Sequence, residues 1–329
     1  MPMPSPLPVR NGVGATRLRI PTAGPWTTVA EFMVATFSHL DAGDLHRRFD
    51  RGEIVGSDGH PIDRSTPLGA DPFVWYYRDL PAETPVSSQE EILHINDDLV
   101  VIDKPHFLST TPGGRYLKET ALVRLRTRLD NPDLVPMHRL DRATAGVLMF
   151  SARRATRGAY QSLFEQRQVT KVYEAVSALP PGWDADAPSL AGHSVPVTYR
   201  NHIASRSGVL RVVIDDALAP NSETVIEVRG SGISASGRAV LHTLLRPHTG
   251  RRHQLRVHLA ALGIGILGDT WYPDLLAEAP DDHSLPMQLL ARELQFTDPL
   301  SGLPRTFITR RTLLEAPVCL TPARDVSDW

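Results

Sequence analysis

Cysteine is almost absent from this chain, Cys319 being the single one among 329 residues. One thiol permits neither an intrachain disulfide nor a thiolate zinc cluster, and it leaves the redox compartment open. Long apolar runs are missing too: no stretch approaches the ~18 residues that cross a bilayer. The apolar fraction, 41%, is on the low side for a globular chain. Met1-Pro2-Met3-Pro4-Ser5-Pro6-Leu7-Pro8 has neither the basic flank nor the apolar core of a secretory signal. A cytoplasmic protein with no membrane partner is expected. No internal repeat is visible. A large charge of one sign is also lacking, and the net value of -2 excludes a uniformly basic surface.

The mean conceals an uneven distribution. From Arg115 to Tyr173 twelve Lys and Arg stand against five Asp and Glu, and from Ser236 to His258 there are five Arg and no acid. Assembled on one face, these segments would steer a polyanion toward it. Scattered, they are only solvated charges.

The length suits one catalytic domain plus a small accessory module. Residues 1–24, rich in Pro and Gly, read as a flexible leader. Val29, Phe32, Met33 and Phe37 fall at helical spacing, and Leu45 to Phe49 suggest a second short helix. Strand-like Glu53-Ile54-Val55 and Phe73 to Tyr77 follow, separated by an Asp-Gly and Pro turn. Residues 25–79 are thus expected to form a small module, 80–89 a Pro- and Ser-containing linker, and 90–329 the main domain. In the main domain Leu99 to Ile102 is a continuous apolar run and reads as a buried strand. Leu117 to Leu129 is amphipathic and predicts a helix, Val147 to Phe150 predicts a strand, and Arg153 to Gln166 predicts a helix. Further strands are expected at Lys171 to Val176, Leu210 to Ile214, Thr224 to Val228, Ala239 to Leu245 and Leu289 to Phe296, with Arg251 to Leu262 helical. Many strands with few helices between them predict an α+β fold with a mixed, largely antiparallel sheet flanked by helices.

The stretch Met137-His138-Arg139-Leu140-Asp141-Arg142-Ala143-Thr144-Ala145-Gly146 places a carboxylate between two arginines just before an apolar strand. An acid so placed can stay ionised and directed; alone, it would be an ordinary solvated loop. Lys171-Val172-Tyr173 comes next, then Thr249-Gly250-Arg251-Arg252-His253-Gln254-Leu255-Arg256-Val257-His258, then Gly263-Ile264-Gly265-Ile266-Leu267-Gly268-Asp269. In this order and spacing the set resembles the RluA-type pseudouridine synthases. The likeness begins near Glu91, runs through Asp97 to Pro105 and continues past Leu290 to Phe296. Two positions depart from the family pattern: Ala145 stands where Ser is more frequent, and Leu290 precedes Ala291 where His is more usual.

The resemblance implies the pseudouridine synthase fold and the isomerisation of uridine in structured RNA, without a cofactor. The bond between base nitrogen and sugar breaks, the uracil turns while bound, and the base rejoins through carbon. By resemblance Asp141 is the essential carboxylate, acting either as nucleophile on the sugar or as base on a ribose proton. Tyr173 would lie against the target base, and Arg256 would pair with Asp141, a task suited to a fixed guanidinium fork. His138 and Arg139 would fill the gap left by an extruded uridine, with Arg142, Arg251, Arg252 and His253 as further RNA contacts. Ribosomal RNA is expected ahead of transfer RNA as the substrate, and a monomer is expected. Two alternatives are a transfer RNA enzyme and a non-catalytic RNA-binding protein of the same fold; loss of Asp141, Tyr173 or Arg256 would favour the latter, and all are present. A metal-dependent hydrolase built on His242, His248, His253 and His258 lacks acidic or Cys companions in a cationic segment, so no metal is expected. The small module resembles a degenerate alpha-L RNA-binding motif whose concentrated charge is limited to Arg47, Arg48 and Arg51.

Overall fold

The computed structural model describes residues 5–78, 83–114, 116–206, 209–277 and 281–322. It divides into two compact units, one drawn from residues 1–84, 112–118 and 123–132, the other from 85–111, 119–122 and 133–329. In chain order the elements are β1 Thr16–Arg19, α1 Val29–Thr36, α2 Ala42–Asp50, β2 Phe73–Tyr76, β3 Glu91–Ile95, β4 Leu99–Lys104, α3 Ala121–Arg128, β5 Val135–Pro136, β6 Ala145–Ser151, α4 Arg157–Glu165 and β7 Thr170–Ala178. They continue with β8 Ser189–Leu190, β9 His193–Ser194, β10 Val197–Asn201, β11 Ile203–Ala204, β12 Val213–Ile214, β13 Ser222–Ile233, β14 Ala239–Pro247, α5 Gln254–Ala261, β15 Leu289–Thr297, β16 Pro304–Ile308 and β17 Thr321–Pro322.

In the smaller unit both helices begin on side-chain caps. Thr28 accepts from the Glu31 amide while Glu31 reaches back to the Thr27 amide, and Asp41 accepts from the Asp44 amide. Met33 of α1 and Leu45 and Phe49 of α2 pack with Ile20, Ile54, Val74 and Tyr76 in one core. The expected leader is corrected here, because β1 lies inside it and pairs antiparallel with β2, Leu18 opposite Val74. Proline and glycine around this four-residue strand masked its alternation. Glu53 to Val55 forms no strand; Val55 makes only isolated bridges, to Pro61 and to Trp75. The boundary also moves: the Glu83 carboxylate accepts from the Leu117 and Lys118 amides, which places it with the smaller unit. Residues 80–82 of the expected linker lie outside the described residues.

The larger unit is built on a sheet of strand order β10-β13-β14-β7-β15-β6-β4-β3, to which β16, β17 and β5 add at β15, β13 and β6. Only β15 and β6 run parallel among these pairs, so the sheet is mixed and largely antiparallel, as expected. β4 and β6 are buried along their whole length, which is why they read as unbroken apolar runs. Tyr160 and Leu163 of α4 pack on Val101, Val147 and Met149. Leu255 and Leu259 of α5 pack on Ala175, Ile226, Leu241 and Leu245. α5 starts later than expected because His253 has φ +53°, which a continuing helix cannot accommodate.

The two departures from the family pattern turn out to be partners. Ala145 on β6 and Leu290 on β15 stand in register across the parallel pair and share one buried apolar cluster with Val176, Val240 and Leu313. In the next register pair, Gly146 and Ala291, position 146 cannot take a side chain: Gly146 has φ +112° and a Cβ there would lie 2.2 Å from the Ala291 carbonyl oxygen. Gly146→Ala is therefore expected to cost about 3 kcal/mol or more, read as a lower urea midpoint. A midpoint equal to that of the unmodified protein would refute this close approach of β15 to β6.

Candidate active site

Asp141 sits in the turn that leads into β6, and the backbone around it is held on several sides. Thr110 Oγ1 donates to the Leu140 carbonyl at 2.8 Å and accepts from the Leu140 amide at 3.2 Å. His106 Nδ1 lies 2.6 Å from the Ala143 carbonyl, and the Thr144 amide closes the turn on the Asp141 carbonyl at 3.0 Å. Lys104 is fully buried and donates to the carbonyls of Pro105, Leu108 and Arg142 at 3.0, 2.7 and 3.4 Å. Burial pulls its ammonium down to about 7, against the support of the Asp141 charge. With its neighbours so gripped, the Asp141 side chain remains 35% exposed and lines a cavity of about 960 Å³.

Arg256 on α5 reaches Asp141 with Nη1 at 3.1 Å. Its other edge makes two parallel bonds to Asp269, Nε to Oδ2 and Nη2 to Oδ1, both at 2.7 Å. The Asp269 side chain is wholly buried and also accepts from the amides of Trp271 and Tyr272 at 2.8 and 3.2 Å. The rings of Trp271 and Tyr272 lie 5.1 and 5.3 Å from the guanidinium carbon. Burial opposes the charge, but hydrogen bonds to Asp269 and the charges of Asp269 and Asp141 outweigh it and raise the Arg256 pKa. The result is a cation fixed in both place and direction.

Tyr173 on β7 lines the same cavity. Burial and the nearby Asp141 charge push its hydroxyl well above the usual phenol range, so it remains a neutral phenol. His253 lies with Nε2 4.0 Å from Asp141 and Nδ1 3.0 Å from the Tyr272 hydroxyl, which also accepts from the Val212 amide at 2.7 Å. Burial lowers its pKa to about 4 despite Asp141. Arg139, Arg167, Lys171, Arg246 and Arg251 line the cavity, drawn from both basic segments of the sequence.

Asp141, Tyr173 and Arg256 are thus brought together, with Arg139, His138, Arg251 and His253 around the same cavity. Arg139 is exposed, with no ion pair among the described residues. Other positions differ from expectation. Arg142 is paired with Asp281 and stacked over Phe107, which turns it away from a simple phosphate contact. Arg252 donates to the Leu210 carbonyl and does not line the cavity. His138 accepts from the Met149 amide at 3.2 Å, stacks on Phe164 and is held neutral by burial, its pKa near 3. Asp269, Lys104 and Thr110 were not singled out by sequence. The first two stood inside the motif stretches, and only the fold shows which side chains they grip. The four histidines stand apart: His242 faces Glu174, His248 is exposed near Glu223, His253 adjoins Asp141, and His258 contacts Ser222, Asn201 and Thr224. No group of three or more metal-ligating side chains forms among the described residues.

The profile of a family described as RNA pseudouridylate synthase matches residues 98–261. Dual-specificity RNA pseudouridine synthase RluA of Escherichia coli is 31% identical over 66% of this chain and 90% of its own. The chain belongs to the RluA-type pseudouridine synthases. An uncharacterized RNA pseudouridine synthase of Synechocystis is 29% identical over 74% of this chain and 78% of its own. The solved structure of human RNA pseudouridylate synthase domain containing 1 covers 70% of this synthase and 86% of that chain, with TM-score 0.53 and 26% identity. The synthase is an isomerase that converts uridine to pseudouridine in RNA. No helix among the described residues is long and apolar enough to cross a membrane.

The buried histidines carry a consequence for acid stability. His106, His253 and His258 are each depressed by burial to about 4 from a usual 6.5. The unfolded synthase therefore binds more protons than the folded one between those values, and stability falls as pH drops from 6.5 toward 4. Each histidine contributes up to about 1.4 kcal/mol per pH unit. Urea unfolding across this window is expected to show a steep loss, which a pH-independent midpoint would contradict.

Proposed function

We propose that Asp141 is the carboxylate that opens the glycosidic bond of a uridine extruded from structured RNA, ribosomal RNA ahead of transfer RNA. The observation that carries this reading is the Arg256–Asp141 contact of 3.1 Å at a cavity wall, with Arg256 itself locked by two bonds to Asp269. A carboxylate so paired stays ionised and aimed, which serves attack on the sugar carbon and removal of a ribose proton alike. The neutral Tyr173 phenol borders the pocket for the detached base and supplies a ring to stack on it. Arg139, exposed at the cavity and free of a carboxylate partner among the described residues, suits the space an extruded nucleotide vacates. Arg251 and the other rim cations suit the phosphates of the flanking strand.

The active residues Asp141, Tyr173 and Arg256, with Asp269, come from one chain, which supports a monomer, and we place it in the cytoplasm. Ribosomal and transfer RNA transcripts labelled with tritium at uridine C5 test the substrate directly. Release from ribosomal transcripts is the expected result. Release from transfer RNA alone would reverse the order of substrates, and release from neither would overturn the reading.

A further inference from the structure

The arginines that the sequence offered as the RNA-binding charge of the smaller unit are neutralised within it. Arg47 pairs with Asp44, Arg48 with Glu53 at 3.2 Å, and Arg51 with Glu53 at 2.6 Å. A different set of cations is available on β1. Side chains alternate along a strand, and the register sets Arg17 opposite Trp75 and Arg19 opposite Phe73, away from the core that takes Leu18, Val74 and Tyr76. The Arg17 guanidinium lies 4.6 Å from the Phe73 ring centre and 5.7 Å from that of Trp75. Arg10 lies 4.2 Å over Tyr77, whose hydroxyl is tied to the Pro8 carbonyl. Arg10, Arg17 and Arg19 are exposed, and no carboxylate pairs with them among the described residues. Beneath them the buried Trp75 Nε1 has no acceptor among those residues.

We propose that this outer face of β1 and β2 binds unpaired RNA, with bases stacking on the guanidinium planes of Arg10 and Arg17 and phosphates meeting Arg19. Three unpaired cations give charge complementarity to a polyanion. Guanidinium groups held over aromatic rings select for nucleobases with exposed π-faces, which a duplex hides and an acidic peptide lacks. The inference rests on RNA being the substrate but on nothing about Asp141. It also moves RNA recognition in this unit from the helices to the sheet.

The test uses the full-length synthase and a fluorescent oligocytidylate of about twelve nucleotides, within the span of single-strand platforms, beside a fully paired hairpin RNA. Oligocytidylate offers no uridine, so the result reports binding alone and does not depend on the proposed chemistry. Replacing Arg10, Arg17 and Arg19 by Gln is expected to weaken oligocytidylate binding about tenfold or more. The slope of log affinity against log salt should fall by about 0.7, as the one phosphate contact, at Arg19, requires at single-strand values. Replacing the same three by Lys should keep the salt slope yet lose part of the affinity, since an ammonium does not stack. Arg47→Gln with Arg51→Gln should stay within about twofold of the parent, their charges being paired already. Single Arg10→Gln, outside every strand, covers the case of a triple variant that misfolds, and should by itself lower the affinity. Unchanged oligocytidylate binding in the Gln variants, an equal loss in the α2 pair, or a loss confined to the hairpin would each overturn the proposal.

Discussion

Asp141→Asn is expected to abolish isomerisation, by about 10⁴-fold or more, while RNA affinity stays near that of the parent. The amide matches the carboxylate in size and keeps one oxygen to accept from Arg256 Nη1, now at 3.1 Å, so the turn should not move. It can neither attack the sugar nor take a proton at neutral pH. The backbone grip by Thr110, Lys104 and His106 is independent of the side-chain oxygen, which argues against a folding explanation. Tritium release from C5-labelled uridine beside a binding titration separates the two quantities. Turnover within about tenfold of the parent would remove Asp141 from the chemistry, since loss of a reacting group costs far more than that.

The second large effect is expected at Arg256. Its guanidinium uses Nε and Nη2 on Asp269 and Nη1 on Asp141, so one rigid plane joins the two carboxylates. Arg256→Lys keeps the charge, but a single ammonium on a flexible stem cannot hold both partners in fixed directions. Misplacement of about 1 Å costs on the order of a hundredfold in rate. Single-turnover kinetics at saturating enzyme should therefore slow by about that factor, with RNA affinity changed little because one cation is a small part of the phosphate attraction. Asp269→Asn should act in the same direction and add little to Arg256→Lys, because both substitutions break one unit. A variant with an unchanged chemical step and weaker RNA affinity would make Arg256 a phosphate contact instead.

Much of this molecule can be read in one dimension. The unbroken apolar runs of β4 and β6 announce strands covered on both faces, and the spacing in α1 announces a buried stripe. The ordered motifs around Asp141, Tyr173 and Arg256 identify the family, because each lies in a contiguous segment with a fixed offset. Sequence and structure part where local composition and tertiary pairing disagree. Proline and glycine hid β1, whose strand character comes from β2, about fifty residues away. A basic run overstated α5, whose start is set by the left-handed backbone of His253.

What the sequence by itself determined is the family, through motifs in fixed order, and the alternation of strands that carries them, since both are properties of neighbours along the chain. Only the tertiary structure decided which charges are spent inside the protein. Arg142 on Asp281 and Arg47 on Asp44 look in sequence like free cations, and Arg10, Arg17 and Arg19 like a tail. The same holds for Asp269, which becomes the anchor of Arg256 only when α5 and the loop beyond it close together. An ion pair forms between groups brought within a few ångströms, and that distance is set by packing over the whole sheet rather than by order along the chain.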